Sequence, residues 1–117
     1  MDDSQIKKNM KEYLEIAEYS LKKNKFNTAV TLYYKALVEI CDLVLLNKLG
    51  EIGANHTERF EMLKTINYQL YKTASKLFRF YRDSYSKEIS KTIAILVKEE
   101  VENAKRTIEE DKQMDKE

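Results

Sequence analysis

Apolar residues recur at three- and four-residue spacing along most of the chain, and no stretch alternates apolar and polar as a half-buried strand would. Ile6, Met10, Tyr13, Leu14, Ala17 and Leu21 mark a first helix, with Ser4 placed to cap it. The polar run "KKNK", residues 22 to 25, reads as a joint. A second helix then carries Phe26, Ala29, Val30, Tyr33, Leu37, Ile40, Cys41, Val44, Leu45 and Leu49. Leu32, Tyr34, Ala36, Leu43 and Leu46 widen its stripe, so this helix is predicted to be covered on more than one side. Gly50 stands where a left-handed C-terminal cap belongs. "EIGANHT", residues 51 to 57, is a loop, and Thr57 is placed to cap the next helix. That helix is open to a break near Thr65 and runs to about Tyr81 or Arg82. Ser84 or Ser86 is placed to cap a last helix, whose inner face is Ile89, Ile93, Leu96, Val97, Val101, Ala104 and Ile108.

These elements predict an all-α fold, an antiparallel up-down bundle of four main helices with the third open to a split. One domain covers residues 1–117, its charged end from 109 to 117 frayed. The chain has no proline, and its two glycines, Gly50 and Gly53, lie in one loop. Long helices with few joints follow. The breadth of the second helix also predicts a homodimer, because an uncovered apolar face usually marks an interface.

Charge changes the picture only locally. Lys and Arg number 21 against 20 Asp and Glu, a net charge of +1. No apolar run is long enough to span a membrane and no apolar leader opens the chain, so a soluble cytoplasmic protein is expected. Within that balance, residues 62 to 82 contain no acid and carry Lys64, Lys72, Lys76, Arg79 and Arg82. At 100° per residue these basic residues fall within about 120° of arc, together with Tyr68. Leu63, Ile66, Leu70, Ala74, Leu77 and Tyr81 fall on the opposite side. One reading of the stripe is a solvated face that offsets the acidic end of the chain. The other is a surface for the phosphates of a nucleic acid, since clustered Lys and Arg release counterions on binding.

The helix pattern resembles a known family. "AEYSLKKNKFNTAVTLYYKALVEICDLVLL" puts Ala17, Leu21, Phe26, Ala29, Tyr33, Tyr34 and Ala36-Leu37 where small archaeal and bacterial HEPN proteins carry their first helix pair. The loop "GANHT" and the pair Arg82-Asp83 match a polar or His-bearing loop and an Arg-polar helix end in that family. The resemblance extends from about residue 5 to 110. It implies a helical bundle and, for many members, metal-independent endoribonuclease activity. The family motif is Arg, four to six residues, then His, and two copies meet at a dimer interface. The His would take the ribose 2′-hydroxyl proton while the Arg holds charge on the phosphate. The resemblance also implies a partner, a minimal nucleotidyltransferase, often in a toxin–antitoxin pair.

This chain departs from the motif at the base. Counted from Arg82, the His positions hold Lys87, Glu88 and Ile89; counted from Arg79, they hold Ser84, Tyr85 and Ser86. Arg82, Asp83 and Tyr85 are therefore the candidate remnant of a catalytic site. Lys64, Lys72, Lys76, Arg79 and Arg82 are the candidate phosphate-binding residues. His56, the only histidine, reads as loop surface or a cap, and Cys41 as a buried small hydrophobe. One His and one Cys make no zinc site of ordinary spacing, and no cofactor is expected. Three functions stay open: a HEPN-like binding protein without nuclease activity, an endoribonuclease using Arg82 with another base, and a helical-hairpin protein-interaction module.

Overall fold

The computed structural model describes the backbone from Asp2 to Asp115 and the side chains from Asp2 to Glu110. Among the described residues 83% are helical and none is in a strand. The five helices are α1 (Ser4–Lys22), α2 (Phe26–Leu49), α3 (His56–Ile66), α4 (Tyr68–Asp83) and α5 (Lys91–Asp115). The charged end expected to fray is helical as far as Asp115, and Lys116 and Glu117 lie outside the described residues.

Helix α2 is the spine. Its 24 residues rise about 36 Å at 1.5 Å each, close to the 40 Å long axis of the molecule. It packs against every other helix, with α1 along most of its length and α5 next in extent. Ala29, Val30, Tyr33, Tyr34, Ala36, Leu37, Ile40, Cys41, Leu43, Val44 and Leu45 are all buried on it. The predicted breadth of its apolar surface is borne out, and the rest of the same chain encloses it.

The joints are set by small polar residues. After α1, Asn24 takes a left-handed φ of 59°, while Lys25 N–H donates to Ser20 C=O at 2.8 Å and Asn24 N–H to Leu21 C=O at 3.0 Å. This is the paired closure that caps a helix through a residue with positive φ. Gly50 ends α2 at φ 76°, donating to Leu46 C=O, as predicted. Three predicted N-caps are corrected. Ser4 is the first helical residue rather than a cap, and its amide and hydroxyl donate to Asp2. Asn55, not Thr57, caps α3 by accepting from Glu58 N–H at 2.9 Å. Ser90, not Ser84 or Ser86, caps α5 by accepting from Ile93 N–H at 3.2 Å. The third helix does break, at Asn67. Its N–H donates to Leu63 C=O and closes α3, and its side chain accepts from Leu70 N–H and opens α4.

The corner between α4 and α5 is held by one side chain from α2. The Asn27 amide donates to Ser84 C=O at 3.0 Å and to Lys87 C=O, and its oxygen accepts from Ile89 N–H at 3.0 Å. Beside it, Thr31 Oγ1 lies 2.7 Å from Ser84 Oγ, which donates to Tyr81 C=O. The start of α2 is thereby tied to the end of α4. Farther along, Tyr34 Oη donates to Ala74 C=O at 2.9 Å.

Asn27→Ala is expected to lower unfolding free energy by about 3 kcal/mol, at roughly 1 kcal/mol net for each lost hydrogen bond. Thr31→Val is expected to cost about 1 kcal/mol. Urea unfolding measures both, and a negligible loss in Asn27→Ala would show that the corner is held by something else.

A cationic and aromatic candidate site at the α2, α3 and α4 junction

The first charge to place is Asp42, which is 6% exposed near the C-terminal half of the most apolar helix. Arg59 from the first turns of α3 meets it as a fork, with Nε at 2.8 Å from Oδ1 and Nη2 at 3.3 Å from Oδ2. Arg59 is itself 8% exposed. Such a two-pronged pair fixes orientation as well as charge. The loop before α3 reaches close enough because Gly53 has no side chain. A Cβ there would stand 2.8 Å from Arg59 N and Cα, both backbone atoms that cannot give way alone.

The ion pair sets the place of His56, one turn before Arg59. The ring is half-buried among aromatics, with centroids 5.1 Å from Phe78, 5.9 Å from Tyr81 and 6.2 Å from Tyr34 and Phe60. Its Nδ1 is 3.5 Å from Arg59 Nη1. Burial lowers its pKa from the usual 6.5, and the charges of Arg59 and Lys35 lower it further. The imidazole is neutral at pH 7. With a guanidinium facing Nδ1, the ring proton belongs on Nε2. His56 therefore presents a donor, and the nitrogen free to accept is the one turned to Arg59.

Lys35 stands over the Tyr81 ring at 5.8 Å, and Tyr81 stacks on Tyr34 at 4.7 Å. Lys35, Tyr81, Tyr13 and Glu39 line a cavity of about 310 Å³ that also includes His56 and Arg59. Burial, with Asp42 nearby, pushes the Glu39 carboxyl above its usual range.

The predicted site residues fall into two groups. Arg82 ends the stripe near the cavity: its guanidinium lies 5.4 Å from the centroid of Phe78, the ring that packs on His56. Tyr85 is exposed, and its hydroxyl is 2.8 Å from that of Tyr81, a hydrogen bond that raises its pKa. It is a phenol at neutral pH and no base. Asp83 accepts from the amides of Ser86 and Lys87 and pairs with Lys87 Nζ at 3.4 Å. The amides of Ser84, Tyr85, Ser86 and Lys87 bond back to Phe80, Arg82 and Asp83 carbonyls. They close α4 and are not free to receive an anion.

Along the stripe, Lys64, Lys72, Lys76, Arg79 and Arg82 are all exposed, as is Tyr68. Leu63, Leu70, Ala74 and Leu77 opposite them are buried. Two details differ from a single acid-free helix. Lys64 lies on α3, before the break, with its Nζ 5.8 Å from the Tyr71 ring. Lys76 is paired with Glu100 of α5 at 2.8 Å, an acid that the sequence window could not show. Lys72 lies over Tyr68 at 5.8 Å and Arg79 over Phe80 at 4.8 Å.

Cys41 is 1% exposed and burial raises its pKa, which keeps it a thiol. Among the described residues, no three His, Cys, Asp or Glu gather as a metal site would need, and no helix is long and apolar enough to cross a membrane. No protein-family model, curated protein or solved structure matches the chain.

Sequence reasoning passed over Lys35, Glu39, Asp42 and Arg59. A signal was present: Lys35, Glu39 and Asp42 fall within about 60° of one another on a helix otherwise apolar from Ala29 to Leu46 apart from Thr31.

Asp42→Ala is expected to destabilise the fold by about 3–5 kcal/mol, because it leaves Arg59 buried and unpaired. Asp42→Leu combined with Arg59→Met is expected to recover most of that loss in urea unfolding. His56 gives a second check. Its lowered folded pKa means that the unfolded chain takes the proton first. Its contribution is full above pH 6.5 and is lost as pH falls through the folded value. An NMR titration of the single histidine should give a midpoint below 6.5, and a midpoint above it would contradict the burial account.

Proposed function

We propose that this is a HEPN-like helical protein that binds single-stranded RNA and does not cleave it. In this reading, α3 and α4 are the halves of a split third helix in an antiparallel up-down bundle of four. The shared cap at Asn67 supports the split, and the Asn27–Ser84 and Tyr34–Ala74 contacts support an α2 antiparallel to α4.

The observation that carries the functional reading is that the exposed basic stripe meets, at Phe78, the cavity of Lys35 and His56, whose other charges are Glu39 and the Arg59–Asp42 pair. Arg82, the last member of the exposed basic stripe, and His56, at the rim of the Lys35 cavity, both pack on that ring. A strand could follow the stripe through its phosphates and end with one at Lys35 and His56. Exposed Tyr68 and Tyr85 lie at the two ends of α4, about 25 Å apart at the helical rise, as platforms for bases. The fit is to phosphate charge and base faces, so binding is sequence-tolerant.

The same geometry argues against cleavage. A general base needs a free lone pair near neutral pKa at the attacking hydroxyl. The lone pair of His56 faces Arg59, and neither Tyr85 nor any residue in the motif positions replaces it. Dimerisation and a nucleotidyltransferase partner rest on the resemblance alone, since α2 is enclosed within one chain.

Fluorescence anisotropy with a single-stranded RNA should show binding that weakens steeply between low and moderate salt. Arg82→Ala and Lys35→Ala should each weaken it several-fold, and Lys76→Ala less, because Glu100 already holds that ammonium. Long incubation without metal should leave the RNA intact. Cleavage abolished by Arg82→Ala or His56→Ala would favour the endoribonuclease reading, and binding indifferent to salt would remove the stripe as the interface.

A further inference from the structure

Beside the basic stripe, the seam between α4 and α5 holds a cavity without charge. Lys76 and Glu100 join the two helices at 2.8 Å. Toward the start of α4, a cavity of about 150 Å³ lies between the same helices. Its polar lining is Asn67, Gln69 and Thr73 on the α4 side and Asn103 and Thr107 on α5. Leu70 and Ile108 add apolar surface, and no Lys, Arg, Asp or Glu belongs to the lining.

Neighbours settle the orientation of both asparagine amides. The Asn67 oxygen accepts from Leu70 N–H at 3.1 Å, and the Asn103 oxygen accepts from Arg106 Nη2 at 3.2 Å. Those donors can meet only an oxygen, so what each amide has left to offer is its NH₂ group. Thr73 Oγ1 already donates to Gln69 C=O at 3.2 Å, while the Gln69 amide can accept as well as donate. At the edge of the cavity, Lys72 precedes Thr73 and lies over the exposed Tyr68 ring at 5.8 Å. No acid pairs with Lys72 among the described residues.

We propose that this cavity takes a uracil base of the RNA, with a phosphate of the same strand on Lys72. The inference rests on the RNA-binding reading and adds one selective position to an otherwise tolerant surface. The space equals that of about five waters, the scale of a single six-membered ring. Uracil brings two carbonyl oxygens for the NH₂ groups of Asn67 and Asn103, and one N–H for an acceptor such as the Gln69 oxygen. Cytosine carries an amino group in place of one carbonyl and sets donor against donor. A charged ligand finds no counter-charge in the lining, and a wholly apolar one leaves the amides unpaired.

The test is fluorescence anisotropy of the full chain with oligouridylate and oligocytidylate of equal length, at low and moderate salt. Both are expected to bind with the same salt dependence, oligouridylate tighter by about fivefold or more, the scale of one hydrogen bond. Asn103→Ala should remove most of that preference. Asn103→Asp, which puts an acceptor where a donor stood, should turn it toward oligocytidylate. Asn103 is exposed, so both variants keep the fold, and circular dichroism checks them. Equal affinity for the two oligomers, tighter binding of oligocytidylate by the unaltered chain, or a preference unchanged in both variants would overturn the uracil site and leave the stripe in place. Absence of salt-sensitive binding by either oligomer would overturn the RNA-binding reading and the uracil site together.

Discussion

Asp42 lies in a helix that other helices enclose, and only a few per cent of its surface reaches solvent. That constraint organises the end of the molecule that holds the candidate site. An isolated buried carboxylate is prohibitively costly, and a partner removed from such a pair costs several kcal/mol. Arg59 must therefore reach inward, so the first turn of α3 must lie against α2. Gly53 lets the preceding loop approach Arg59 closely enough. His56, at the start of the same helix, then has no choice but to pack beside Phe78 and Tyr81. The ion pair adds little net stability over an apolar pair of the same shape. What it supplies is register, and with it a histidine whose lone pair is turned to a cation.

The consequence is a candidate site that differs from the one the family resemblance implies. The motif would supply its base shortly after the arginine. In this chain that stretch is a latch: Ser84, Lys87 and Ile89 are held by Asn27, and their neighbours' amides close α4. The imidazole comes instead from a loop earlier in sequence, and it comes as a donor. Positive charge gathers from three helices, Lys35 on α2, Arg59 on α3 and Arg82 on α4. Arg59 is neutralised within the fold, whereas Arg82 and the stripe behind it remain open to a partner.

Much of the fold was legible because helical periodicity is a local signal. The faces of α1, α4 and α5 and the left-handed cap at Gly50 need only neighbours in sequence. Caps were less legible. Ser4, Thr57, Ser84 and Ser86 are all chemically suitable, yet Asp3, Asn55 and Ser90 occupy the cap positions, one to six residues away, and of these Asn55 and Ser90 reach an open amide. Long-range pairing was not legible at all. Nothing near Lys76 in sequence announces Glu100, and nothing near Asn27 announces Ser84. The exposed stripe was found from spacing alone, but the cavity beside it was missed, since it is made by four helices meeting. Its one local trace was the shared face of Lys35, Glu39 and Asp42.

The central claim is that RNA phosphate is held where the stripe meets the His56 cavity. The most direct measurement is an NMR titration of isotope-labelled protein with a short single-stranded RNA, following backbone amides and the His56 ring. The account predicts shifts at His56, Tyr81, Arg82 and along the exposed face of α4, with the Tyr33 side of the molecule unmoved. Shifts confined to α1 and α5, or none at RNA concentrations that saturate anisotropy, would contradict it.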